Sequence, residues 1–214
     1  MNIGELNVIH ETNHYIVVIK PSGILSQADN TGDIDMLTIV KNYIKIKYNK
    51  PGDAFVGLVH RLDRMTSGLM VFAKTSKGAS RLNEQIRDNL FEKNYFAKIE
   101  GIPNDSGTFI DELSFNEKLR KSFIVSNGKT AKLNYKVIEK KDDHSIVDIE
   151  LITGRHHQIR VQFGSRNFPL VGDTLYGSKS KCPIKLHAYR LSFLDPITKE
   201  KVTFINYPTW IERK

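Results

Sequence analysis

One carboxylate in the sequence has an arginine close on either side. Asp63 lies between Arg61 and Arg64, and the segment Thr66–Gly68 after it has residues typical of a turn. The apolar run Leu69–Ala73 that follows predicts a buried strand behind this turn. A carboxylate on a rigid loop can serve as a nucleophile or a base, whereas many turn aspartates only cap the turn and pair with neighbouring arginines. The stretch taken alone fits both roles.

Sequence patterns for most other kinds of catalytic site are absent. The chain has no HExxH, no Cys/His ligand spacing, no glycine pattern for phosphate or dinucleotide binding, and no GxSxG. His156 and His157 are adjacent, so on a helix they would point in different directions, and Cys182 is the single cysteine. A glycosidase would use two carboxylates, and Asp63 has no evident partner. We therefore expect no metal and no cofactor, and a nucleophilic carboxylate in a basic groove.

The charge balance favours a polyanionic partner. The 214 residues include 32 lysines and arginines against 24 acids, which gives a net charge of +8. No apolar run approaches the ~20 residues that span a bilayer, and the N-terminus lacks a signal-peptide pattern. We therefore expect a cytoplasmic protein that does not enter a membrane. Because there is no repeat and no linker-like stretch, residues 1–214 are predicted to form one domain.

Hydrophobic periodicity predicts many short strands and a few helices. The predicted strands, several of them paired as hairpins, are Asn7–His10, Tyr15–Lys20, Lys93–Ile99, Ala131–Val137, Val147–Leu151, Ile184–Leu194 and Val202–Asn206. The predicted helices are Met36–Tyr48, the segment from Ala79 to Leu90, and a short helix on which His156 and Arg160 share a face. Small strands and loops are expected between Gly107 and Lys129. This mixture predicts an α+β fold with a largely antiparallel sheet.

Six segments of the chain together resemble the RluA-type pseudouridine synthases, in the order that family has them. They are Lys20-Pro21-Ser22-Gly23, His60 to Leu69, Lys93-x-Tyr95, Leu151 to Arg160, Gly172-Asp173-x-x-Tyr176-Gly177 and Leu186-His187-Ala188. The resemblance implies a pseudouridine synthase catalytic fold, with a mixed, largely antiparallel sheet flanked by helices and an active-site cleft across the sheet. It also implies isomerisation of a uridine in ribosomal or transfer RNA to pseudouridine, without metal or cofactor.

The resemblance assigns roles to four residues of the predicted site. Asp63 matches the catalytic nucleophile, and Arg160 matches its ion-pair partner. Because burial alone would raise the pKa of a carboxyl group, a resident cation is needed to keep Asp63 charged in a closed site. Tyr95 matches the tyrosine at the target base, and Leu151 is expected to wall the pocket.

Four basic residues are predicted to contact RNA phosphates: Arg61, Arg64, Lys20 and Arg155. A stacked uridine must be turned out of the RNA, which costs on the order of a few kcal/mol, and phosphate contacts would offset this. Arg64 is best placed by sequence to fill the space that the base leaves. A structural or surface role fits each of the four as well, and His60 is expected to brace the loop.

Some features depart from the family pattern and leave the substrate open. His156, Gln162 and Asp195 stand where the family commonly has other residues, and we expect no S4-like RNA-binding domain before the catalytic one. Two other functions fit the same basic cleft, namely a catalytically silent RNA-binding module and a nucleosidase-like hydrolase. Nothing in the sequence calls for a protein partner, so a monomer is predicted.

Overall fold

Antiparallel strands and three helices make up the fold. The computed structural model describes residues 6–211. In chain order the elements are β1 (Val8–Glu11), β2 (Tyr15–Lys20), α1 (Met36–Lys47), β3 (Gly57–Leu58), β4 (Ser67–Ala73), α2 (Ser76–Arg87), β5 (Glu92–Glu100), β6 (Ser106–Asn116), β7 (Lys121–Ile124), β8 (Lys129–Lys141), β9 (His144–Leu151), α3 (Gln158–Gly164), a 3₁₀ helix (Thr174–Tyr176), β10 (Leu186–Leu194) and β11 (Lys201–Ile205). The predicted α+β class is confirmed.

The chain forms two compact units. The first comprises residues 6–91 with 190–206, and the second comprises residues 92–189 with 207–211, so that β10 contributes its first residues to one unit and its last residues to the other.

In the first unit β1 pairs with β2, β2 with β4, β3 with β4, and the end of β10 with β11, all antiparallel. Alternate residues of β2 and β4 point to one face, where Val17, Val71 and Phe193 form a buried core with Leu82 of α2. Helix α2 begins after Thr75, whose side chain accepts a hydrogen bond from the Gly78 amide and so caps the helix.

In the second unit the strand order is β5, β9, β8, β6, β7, again with antiparallel neighbours. The register places Tyr135 of β8 opposite Ile149 of β9. The ring of Phe163 on α3 packs edge-on against Tyr135, with 5.4 Å between ring centroids, so α3 covers this face of the sheet. The segment predicted as small strands and loops is the hairpin β6–β7.

The short helix α3 begins two residues later than predicted, because the predicted helix had to include His156. His157 adopts a left-handed conformation with φ of 52°, which a right-handed helix does not accommodate, so α3 begins at Gln158. His156 therefore precedes the helix, and the prediction that His156 and Arg160 share a helical face is wrong.

Candidate active site

The loop that carries Asp63 is bound by a segment from the end of β2. The buried hydroxyl of Ser26 donates to the Leu62 carbonyl at 2.7 Å and accepts from the Leu62 amide at 3.0 Å. On the other side of Asp63, the Gly23 amide donates to the Arg64 carbonyl at 2.8 Å. The main chain of each neighbour of Asp63 is thus hydrogen-bonded to the segment that follows β2, which fixes the position of the loop that carries the carboxylate.

Lys20 lies inside this loop and is fully buried. Its Nζ donates to the carbonyls of Pro21 at 3.0 Å, Ile24 at 2.6 Å and Arg64 at 2.9 Å, which matches the three N–H donors of an ammonium. Burial lowers the pKa of Lys20 to about 7, the Asp63 carboxylate acts in the opposite direction, and the Arg64 charge lowers it further. Lys20 was predicted to contact an RNA phosphate. Its burial corrects that prediction, because the ammonium is turned toward the loop interior.

The remaining charged residues of the loop lie at its surface. Arg61 and Arg64 are both exposed. Arg64 donates from Nε to the Gly23 carbonyl at 3.0 Å and pairs through Nη1 with Asp33 at 2.7 Å. About half of each of these two side chains is exposed, so the ion pair contributes little to stability.

His60 braces the loop against the strand behind it. Its Nε2 accepts a hydrogen bond from the Val71 amide of β4 at 3.1 Å, which supports the predicted bracing role. This hydrogen bond attaches the His60 ring to β4 and so limits the movement of the loop.

Replacing Ser26 with alanine should loosen the Asp63 loop. The change leaves the buried amide and carbonyl of Leu62 without their partner, so the free energy of unfolding should fall by about 1–3 kcal/mol in urea denaturation. We expect catalytic turnover to fall about tenfold, since a small misplacement of a reacting group is costly. Ser22→Ala is the matched control, because the Ser22 hydroxyl donates an exposed hydrogen bond to the Met65 carbonyl of the same loop. Equal losses in the two variants would contradict the special role of Ser26.

In the second unit, Tyr95 and Leu151 lie on one face of the sheet. Tyr95 pairs with Ile149, and Leu151 lies two residues further along β9, so the side chains point the same way. Both are buried, with 6% and 8% of their surface exposed. This is also the face that α3 covers, so the second unit brings Tyr95, Leu151 and the helix of Arg160 to one side of its sheet. Burial lowers the pKa of Lys93, which lies two residues before Tyr95 in the same strand.

Arg160 forms a buried ion pair that the sequence analysis did not predict. Its Nε donates to Oδ2 of Asp173 at 2.6 Å and its Nη2 to Oδ1 at 2.9 Å. Only 6% of the Arg160 side chain and 1% of the Asp173 side chain are exposed. Two-pronged pairing of this kind orients a guanidinium as well as balancing its charge. Asp173 belongs to the motif Gly172-Asp173-x-x-Tyr176-Gly177, so the signal was present in the sequence although no role was assigned to it.

His157 and Arg155 both lie shortly before Arg160 in the chain. Burial, together with the charges of Arg160 and His156, lowers the pKa of His157 to about 2, so this imidazole is neutral near pH 7. Its Nδ1 lies 3.1 Å from the Tyr176 hydroxyl. Arg155 is exposed, with Nε donating to the Thr130 carbonyl at 2.9 Å.

A family model described as RNA pseudouridylate synthase matches residues 14–165, which is most of the chain and includes Asp63, Tyr95, Leu151 and Arg160. The chain belongs to the RNA pseudouridylate synthase family. This confirms the family and the enzyme class, an isomerase acting on RNA, that the sequence motifs predicted.

Individual pseudouridine synthases resemble the chain over most of its length. An uncharacterised RNA pseudouridine synthase of Bacillus subtilis is 36% identical over 93% of this chain and 67% of its own length. The ribosomal large subunit pseudouridine synthase D of Pseudomonas aeruginosa is 34% identical over 84% of this chain, which spans 56% of that protein. The structure of human RNA pseudouridylate synthase domain containing 4 superimposes with a TM-score of 0.80 at 20% identity, covering 95% of this chain and 89% of that one, which shows the shared fold.

The predicted catalytic and substrate-binding residues of this pseudouridine synthase family member fall in both units. Asp63 belongs to the first unit, and Tyr95, Leu151, Arg155 and Arg160 belong to the second. The ion pair between Asp63 and Arg160 stays a prediction. Within residues 6–211 no group of three His, Cys, Asp or Glu side chains is arranged to hold a metal ion, and no helix is long and apolar enough to cross a membrane.

Proposed function

We propose that this chain converts a uridine of ribosomal RNA to pseudouridine, with Asp63 as the nucleophile. The observation that carries the proposal is the immobilised Asp63 loop, which the Lys20–Ser26 segment binds on both sides of the carboxylate within a sequence that matches the family model. The ribosomal assignment is supported by relatives such as the Pseudomonas aeruginosa protein, which is named for the large ribosomal subunit.

The reaction needs an ionised carboxylate. An unperturbed aspartate has a pKa of about 3.9, so Asp63 is charged near pH 7 unless burial opposes this. The ammonium of Lys20 interacts electrostatically with Asp63, and this interaction favours the charged form of both groups. We propose that Arg160 supplies a second cation once substrate is bound, because a guanidinium stays charged in a closed site.

The proposed reaction breaks one bond of the nucleoside and makes another. The Asp63 carboxylate forms a bond to the nucleoside, the N-glycosidic bond is cleaved and the uracil turns. A carbon–carbon bond then joins the uracil to the ribose again, and the bond to Asp63 is broken before the product leaves. The carbon that forms the new bond loses its proton, and the nitrogen released from the ribose gains one, so the mass is unchanged. We propose that Tyr95 packs against the uracil while it turns. Leu151 is proposed to keep water away, since water would hydrolyse the ribose intermediate that exists while the uracil is detached.

RNA contacts are proposed for the exposed arginines only. Arg61, Arg64 and Arg155 are exposed, and the chain carries a net charge of +8, which attracts a phosphate backbone. Arg64 would give up its exposed partner Asp33 when RNA binds. Such contacts would offset the cost of turning the uridine out of its stack.

The test is an assay of the purified chain on ribosomal and transfer RNA transcripts made with uridine tritiated at carbon 5. Pseudouridine formation releases this tritium to water, and nucleoside analysis identifies the product. We expect tritium release from ribosomal RNA, with no free uracil. Binding without tritium release would favour the silent RNA-binding module, release of uracil would favour the hydrolase, and modification confined to transfer RNA would overturn the ribosomal assignment.

A further inference from the structure

The turn between Gly172 and Gly177 presents two side chains to Arg160. The Asp173 carbonyl accepts hydrogen bonds from the amides of Tyr176 at 3.0 Å and Ser178 at 3.1 Å, which closes the turn around the 3₁₀ helix. Gly172 and Gly177 have φ of 87° and 106°, values that side-chain-bearing residues rarely adopt. The positions of the Asp173 and Tyr176 side chains are therefore set together by one rigid piece of backbone.

Both of these side chains contact the Arg160 guanidinium. Asp173 binds it through two hydrogen bonds, and Cζ of Arg160 lies 5.2 Å from the centroid of the Tyr176 ring. An aromatic ring at this distance attracts a guanidinium through its electron-rich face. The carboxylate fixes one edge of the guanidinium and the ring limits its movement, so one turn determines where the charge sits.

The hydroxyl of Tyr176 connects this turn to the hairpin β6–β7. The hydroxyl accepts from the Ser122 amide at 2.9 Å and lies 3.3 Å from the Ser122 carbonyl, to which it donates. Ser122 is 2% exposed and lies on β7, the last strand of the second unit's sheet order. One phenol thus binds both main-chain groups of a strand residue, in the way that a neighbouring strand would. The side chain that limits Arg160 is itself held by this hairpin.

Helix α3 touches the same turn directly. A side chain at Gly164 would place its Cβ 2.8 Å from the Tyr176 carbonyl oxygen and 2.9 Å from the Tyr176 Cβ, both closer than real contacts allow. The helix that carries Arg160 and the turn that holds its guanidinium are therefore in contact at two places, at Gly164 and at the ion pair itself.

We propose that Asp173 and Tyr176 are positioning residues for Arg160, and that the Tyr176 hydroxyl links the position of Arg160 to the hairpin β6–β7. We call these two residues the Arg160 clamp. The inference rests on the proposed function, because it matters for turnover only if Arg160 acts on the reacting uridine or on Asp63. The clamp affects how the guanidinium is aimed, so its loss lowers kcat and leaves RNA affinity nearly unchanged.

The test compares Asp173→Asn and Tyr176→Phe with a matched control. Tyr176→Phe keeps the ring over Arg160 and removes the hydroxyl, with its two bonds to Ser122 and its contact with Nδ1 of His157. Tyr189→Phe is the control, since it removes a hydroxyl that donates to Asp148 at 3.0 Å in the same unit but away from Arg160. With tritiated ribosomal RNA we expect kcat to fall about 50-fold for Asp173→Asn and about tenfold for Tyr176→Phe, with KM within about threefold of the original chain. The control should keep its kcat within about threefold.

A second measurement separates positioning from general destabilisation. The Arg160→Lys variant cannot make the two-pronged pair with Asp173. Adding Asp173→Asn to it should therefore lower the single-turnover rate by less than about a further threefold, because the effects of substituting two residues that act through one another do not add. Equal losses in both backgrounds, or losses in Tyr189→Phe that match those in Tyr176→Phe, would overturn the clamp.

The outcome for Asp63 keeps the two proposals distinguishable. If Asp63→Ala retains turnover, the proposed function is wrong, whatever the clamp variants do. If Asp63→Ala is inactive while Asp173→Asn and Tyr176→Phe turn over normally, the proposed function survives and the clamp is refuted.

Discussion

Replacing Asp63 with asparagine is expected to abolish pseudouridine formation, with turnover at least about 10⁴-fold lower, the scale on which loss of a nucleophile reduces an enzyme's rate. Asparagine has nearly the same shape, but its amide carries no negative charge and is a poor nucleophile. The hydrogen bonds that hold the loop go to the main chain of Leu62 and Arg64, so they do not depend on the Asp63 side chain. RNA affinity measured by filter binding should stay within about tenfold, since phosphate contacts supply most of it.

Asp33→Asn is the matched control for this prediction. Asp33 lies in the same unit, and its carboxylate pairs with Arg64 at 2.7 Å in an exposed ion pair. We expect its turnover within about threefold of the original chain, because exposed pairs contribute little. Residual turnover by Asp63→Asn, measured by tritium release with an unchanged unfolding temperature, would rule out a nucleophilic role. A large loss in Asp33→Asn would show instead that general charge removal near the loop slows the reaction.

The elements with strong alternation or helical spacing were predictable from sequence. Helix α1 was predicted from Met36 to Tyr48 and ends one residue earlier, and the predicted strand Val147–Leu151 is the second part of β9. Here the hydrophobic pattern agrees with the tertiary burial, so local and global preferences point the same way. The hairpin β6–β7 was less clear. Most residues of β6 are only partly buried or exposed, which weakens its alternation, and Tyr176 holds β7 from 54 residues away.

The site shows the same division between local and distant information. Asp63 could be named as a candidate because its turn, its arginines and the strand behind it are neighbours in sequence, and the family resemblance then gave it the predicted role of nucleophile. Lys20 was misassigned because its acceptors are main-chain carbonyls, which no residue type reveals, and a lysine at the end of a strand is usually solvated. Asp173 was overlooked because its ion pair with Arg160 depends on which side of α3 faces the turn, and the sequence does not give that orientation. Hydrogen bonds to main-chain carbonyls and buried ion pairs across a turn form only in the folded structure, so the residue types in the sequence do not reveal them.

Arg160→Met is the variant expected to separate stability from activity. It removes the only cation that the described structure places on both carboxylate oxygens of Asp173, which is 1% exposed. Removing one partner of a buried ion pair costs about 3–5 kcal/mol, so the free energy of unfolding in urea should fall by that amount. Turnover should fall by about 10²–10³-fold, the scale of losing one group that stabilises charge in the transition state.

The double variant Arg160→Met with Asp173→Asn shows whether the loss of turnover follows from the loss of stability or from the loss of the Arg160 charge. The second change removes the buried charge that the first left without its guanidinium, so at least about half of the lost stability should return. Turnover should not return with it, because no cation replaces the guanidinium. Recovery of turnover together with stability would mean that Arg160 serves the fold alone, and Asp63 would then need its counter-charge from Lys20, the cation already buried in its own loop. If stability recovers without turnover, the charge of Arg160 is needed for the reaction, and Asp173 offsets the free-energy cost of burying that charge.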